Sequence, residues 1–130
     1  MLKEYELDSL RSCTNGHHEI IGIITGCHRN DIKKAAPEKN AWCGKDYINT
    51  FRKLGFNTNN SFINFDPETK HPVMMRFSVK EKPKNKTSYW HAYAYFNGKV
   101  YFGAGEVVDF DTFIDLYKEY SVTSMLQVWI

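Results

Sequence analysis

Three observations predict an α+β fold, with helices first and a mainly antiparallel sheet after them. Before residue 60, apolar residues recur at helical spacing. From residue 71 onward they alternate with a period of two. Between two of those alternating runs stands Asn97-Gly98, a pair in which both residues tolerate positive φ. Helices followed by strands, without regular interleaving, is the α+β pattern.

The stretch CTNGHHEIIGIITG (residues 13–26) places Ile20, Ile21, Ile23 and Ile24 around a largely buried helix that Gly26 stops. CHRNDIKKAA follows as a short second helix, ended after Ala36 by Pro37. In GKDYINTFRKLGF the residues Tyr47, Ile48, Phe51 and Leu54 share one helical face, Lys53 lies in the last turn, and Gly55 is a C-cap. HPVMMRFSVK then alternates, with Val73, Met75, Phe77 and Val79 on one side and Met74, Arg76 and Ser78 on the other. YWHAYAYF and KVYF flank Asn97-Gly98 and read as a hairpin, with His91 on the face of Tyr89, Tyr93 and Tyr95. DFDTFIDLYKEY is a late helix near 111–120. Its expected cap is Asp109 or Asp111, and Phe113, Ile114, Leu116 and Tyr117 are expected to turn inward. SVTSMLQVWI closes the chain as a strand. The whole reads as a single domain over 1–130, mainly helical over 1–60 and mainly β over 61–130.

At 42% hydrophobic and 15% aromatic residues, the chain has enough apolar material for a packed core, which argues against disorder. A net charge of +2 does not suggest a dense basic face, so a nucleic-acid partner is not expected. The lysines at 80, 82, 84 and 86, beside Tyr89 and Trp90, are the one cluster that would serve single strands, and Glu81 interrupts it. Otherwise KEKPKNKTS reads as a solvated loop. There is no apolar run of the roughly 20 residues a membrane helix needs. The acidic residues of MLKEYELDSL do not fit a signal peptide, so a cytoplasmic location is expected, that of a host if the chain is viral. The cysteines Cys13, Cys27 and Cys43 are odd in number and lack paired-motif spacing, which points to free thiols in a reducing compartment.

The candidate chemistry is a thiol with an imidazole. Cys13 stands where an apolar helix begins, and the positive end of the helix dipole favours thiolate there. His91, on a later strand, is of the type that takes a thiol proton and returns one to a leaving group. Cys43 also opens a helix and is the alternative nucleophile. His17 lies four residues after Cys13, and Cys27 adjoins His28, but no C-x-x-C or H-x-x-x-H pair occurs, so neither a metal nor another cofactor is expected. His17 and His18 read as exposed first-turn residues.

In their order, SCTNGHHEIIGIITG, GKDYINTFRKLGF and WHAYAYFNGKVYF resemble the compact bacterial and phage versions of the papain-like cysteine peptidases, over about residues 12–103. In those proteins a Cys heads an early helix, a second helix ends in Leu-Gly-Phe, and a His-small-apolar strand leads into a tight hairpin. The resemblance implies a papain-like domain in which Cys13 is the nucleophile, His91 the general base, and a protein or peptide the substrate. It also calls for an Asn or Asp near VYFG to orient the imidazole, where this chain has Phe102 and Gly103. Glu106 and Asp109 are the nearest substitutes. A Gln before the nucleophile is likewise missing, which leaves the Cys13 N–H as one oxyanion donor, with Asn15, Ser9 or Ser12 for the other. The alternative reading is a catalytically silent papain-like domain that binds a protein partner, as an inhibitor or host-factor antagonist.

Overall fold

The computed structural model describes residues 16–79, 90–103 and 106–130. Four helices and seven strands occur among them, and the strands form one antiparallel sheet. Helix α1 (Gly16–Thr25) buries Ile20, Ile21, Ile23 and Ile24. It ends where Gly26 takes φ 71°, and the Thr25 Oγ1 accepts the Cys27 N–H at 3.1 Å. Helix α2 (Arg29–Ala35) stops at Ala36, whose extended backbone is the conformation a following proline imposes. Helix α3 (Gly44–Lys53) buries Tyr47, Ile48 and Phe51 and is followed by Gly55 at φ 95°.

Two-residue strands come next, β1 (Asn57–Thr58) and β2 (Ile63–Asn64). The longer ones are β3 (Val73–Val79), β4 (Trp90–Phe96), β5 (Lys99–Gly103) and β6 (Glu106–Asp109). Helix α4 (Phe110–Leu116) leads to the last strand, β7 (Tyr120–Trp129). The sheet order is β1-β7-β3-β4-β5-β6, with β2 also on β7. Asn97 and Gly98 both take positive φ, 51° and 79°, as the expected two-residue hairpin between β4 and β5 requires.

Both faces of the sheet are covered. On one face α1, α2 and α3 pack Ile21, Ile24, Trp42 and Phe51 against Met74, Ala94, Leu126 and Val128. On the other, α4 covers Val73, Met75, Phe77, Tyr95 and Val100. That explains why Val73, Met74 and Met75 are all fully buried although strand alternation divides them between the faces.

Helix α4 departs from expectation in its length and in what it buries. Phe113 is buried, and Phe110 and Tyr117 flank it at helical spacing. Ile114 and Leu116, expected inside, are 42% and 62% exposed. Seven residues form one apolar stripe only, and the aromatic rings at 110, 113 and 117 occupy it.

Candidate functional site

The start of α3 builds one wall of the main cleft. Asp46, three residues after the N-cap Cys43, accepts the Cys43 N–H at 2.8 Å and pairs with Lys39 at 3.0 Å. Those contacts, the Cys43 N–H foremost, hold the Asp46 carboxyl below the usual carboxylate range. Trp42, just before the cap, meets Tyr47 one turn into the helix with ring centroids 5.0 Å apart, the geometry of a hydrophobic staple. Capping and staple together turn the indole toward α1.

His17 closes that wall. Its ring stacks on Trp42 at 4.7 Å and 16°, its Nδ1 meets the Tyr47 hydroxyl, and its Nε2 lies 3.0 Å from the Asn40 carbonyl. A carbonyl only accepts, so Nε2 carries the proton, and neutral His17 then takes the Tyr47 hydroxyl proton in a hydrogen bond at Nδ1. Burial raises the Tyr47 phenol above its ordinary pKa, with the Asp46 charge adding to the rise, and this keeps it a donor. His18 is half-buried beside Trp42, and its pKa is lowered by burial first, then by His17 and Lys33.

The opposite wall is the place where β4 and β5 part. Their ladder runs from Phe96↔Lys99 to Ala94↔Tyr101 and stops there. Between the parted strands and the first turns of α1 lies a cleft of about 600 Å³. Its α1 side carries His17, Glu19, Ile20 and Ile23, and its strand side His91, Ala92, Tyr93, Tyr101 and Phe102. Tyr93 has its phenol pushed up to about 12, by burial first, then by a hydrogen bond with Tyr117 and by the charges of Glu106 and Glu19.

His91 thus stands at the rim of the cleft, exposed, as the second residue of β4. Its ring lies against Phe77 (5.7 Å) and Tyr120 (5.6 Å), on the sheet face that carries α4, opposite the face that α1 covers. Cys13 and Asn15, with Ser9 and Ser12, lie outside the described residues, as does the lysine cluster of 80–86. Glu106 pairs with Gly103 and belongs to the same end of the sheet as His91, whereas Asp109 pairs with Lys99 near the hairpin turn. Both are exposed. Phe102, at the position where the resemblance calls for a polar residue, packs edge-on against Tyr93 at 4.5 Å.

Of the other cysteines, Cys43 is the exposed N-cap of α3 and adjoins Trp42, while Cys27 is partly buried against the helical core. His28 caps α2, its Nδ1 accepting the Asn30 N–H at 3.1 Å. Among the described residues no three His, Cys, Asp or Glu side chains stand close enough to hold a metal ion. Nor is any helix among them long and apolar enough to cross a membrane.

The reading of His17 as an exposed first-turn residue is corrected by its half-buried stack on Trp42. The signal was in the sequence: residues 17, 20, 21 and 24 form one i, i+3, i+4, i+7 stripe, and the last three are buried isoleucines. No family model, curated protein or solved structure matches this chain.

Proposed function

We propose that the protein is a small papain-like thiol hydrolase, acting on a protein or peptide, in which Cys13 is the nucleophile and His91 the general base. The observation that carries the reading is the cleft at the head of α1, which has His91 on its rim. Cys13 precedes Gly16 by three residues, and three residues of chain span at most about 11 Å. In the reaction, His91 takes the thiol proton and the Cys13 sulfur attacks the carbonyl carbon. The tetrahedral adduct collapses to a thioester as the leaving amine receives that proton. Water, deprotonated by His91, then releases the acid and restores the thiol. Glu106 is the acid at the His91 end of the sheet and the candidate to orient the imidazole.

A second reading, a silent papain-like domain that binds a partner protein, is favoured by Phe102, which packs among aromatic rings instead of offering His91 a polar partner. Iodoacetamide labelling of each cysteine between pH 5 and 9, followed by mass spectrometry, separates the two. The hydrolase reading expects Cys13 to react fastest near neutral pH and His91→Ala to slow it. Equal, slow labelling of all three thiols in both proteins would refute it and leave the binding reading.

A further inference from the structure

We propose that the cleft between α1 and the parted ends of β4 and β5 selects a cationic side chain, lysine or arginine, from an extended peptide. The inference rests on the hydrolase reading in taking a peptide as the occupant. Its own basis is the composition of the cleft walls. Trp42, Tyr101 and Phe102 give aromatic surface, Ile20 and Ile23 give aliphatic surface, and Glu19 is the one carboxylate among the described lining residues, which include no lysine or arginine. A long aliphatic stem carrying a positive end matches that combination: the stem covers apolar wall while the cation meets ring faces and a carboxylate. A purely apolar side chain would desolvate Glu19 without compensation, and an acidic one would meet like charge. The charges of Glu19 and Glu106 both act on Tyr93, so the strand side of the cleft lies in a negative field from two directions.

The parted strands also account for the extended backbone. Phe96 and Lys99 flank a two-residue turn and exchange both hydrogen bonds, so alternation aims the N–H and C=O of Ala92 toward β5. The β4–β5 ladder has already ended at Ala94↔Tyr101, and Ala92 has no ladder partner among the described residues of β5. A peptide strand entering there would find a donor and an acceptor at β spacing. Glu19 also lies in the first turn of α1, where a carboxylate favours the helix dipole. That role needs no aromatic walls and predicts no ligand preference, so the two are separable.

The test titrates acetyl-Ala-Xaa-Ala-amide peptides, with Xaa arginine, lysine, norleucine or glutamate, into the full chain carrying Cys13→Ser, followed by NMR shifts. The arginine and lysine peptides are expected to bind about tenfold more tightly than norleucine, with glutamate weakest. The contrast should collapse in Glu19→Gln and persist in Glu19→Asp, and circular dichroism checks that both variants fold. Equal binding of all four peptides, or no shifts at Ile20, Ala92 and Tyr101 with any of them, overturns the proposal. A Glu19→Gln variant that melts lower with an unchanged preference also overturns it, leaving Glu19 a helix-dipole residue. Binding with this preference by a protein whose Cys13 labels slowly would sink the hydrolase and keep the cleft. Cleavage at equal rates for arginine and norleucine would do the reverse.

Discussion

Tyr47→Phe deletes one oxygen from the wall of the cleft and nothing else. The ring stays, so its contact with Trp42 and its burial at 1% exposure are retained. The loss is the hydrogen bond to His17 Nδ1, while His17 Nε2–H remains tied to the Asn40 carbonyl and cannot turn to find another donor without breaking that bond. A half-buried acceptor left unsatisfied costs about 1–2 kcal/mol. For 130 residues the unfolding entropy is about 0.27 kcal/mol/K, so a loss of about 1.5 kcal/mol lowers Tm by about 5 °C. Thermal and urea unfolding of wild type, Tyr47→Phe, His17→Ala and the double variant would measure it. A coupling of about 1 kcal/mol is expected between the two positions. If Tyr47→Phe were neutral or stabilising and the two changes added, the hydroxyl would not be serving His17, and the assignment of His17 as the Nε2–H tautomer would fall with it.

Phe113→Ala should cost about 3–5 kcal/mol, because Phe113 is the one fully buried side chain of α4 and touches Phe77 at 5.2 Å and Tyr117 at 4.8 Å. Leu116→Ser, on the same helix but exposed, should stay within about 0.5 kcal/mol by urea unfolding. If the two cost the same, the packing assigned to α4 would be refuted. In alkali, stability should fall from about pH 10 to about 12. The phenols of Tyr47, Tyr93 and Tyr95 are raised in the folded state, so the unfolded chain releases those protons first and the equilibrium shifts toward it as pH rises. Urea midpoints at pH 8 to 11.5 should show the decline, and Tyr93→Phe should make it shallower. A flat profile in wild type would refute the burial argument.

Elements that carry their own periodicity were legible in the sequence. The four isoleucines of α1, the Tyr47-Ile48-Phe51 face of α3 and the Asn97-Gly98 turn are each decided by residues within a few positions of one another. Strands β1 and β2 were not legible, since two residues hold no pattern, and their pairing partner is β7, more than 60 residues away. Strand β6 was hidden for a related reason: its four residues alternate little and are fixed by the ladder with β5. The cleft was partly visible. His91 was found through its strand, but His17 takes its meaning from Asn40, Trp42 and Tyr47, all at least 23 residues distant. Glu19 carries no local sign of the aromatic wall it faces.

The parity of β4 sets the problem any Cys–His mechanism here must solve. Alternation sends Ala92 and Ala94 toward α1 and His91 toward α4, so a thiol at the head of α1 approaches from the face opposite the imidazole. Within a continuous sheet that separation would be final, because a neighbouring strand blocks the way around. His91, however, stands one residue from the start of β4, and β5 has parted from β4 by that level. The route to the ring therefore runs past the end of the ladder and through the same opening that forms the cleft. Closing that opening by extending the β4–β5 ladder would seal the imidazole on the α4 side, so the hydrolase reading and the peptide cleft depend on one feature of the sheet.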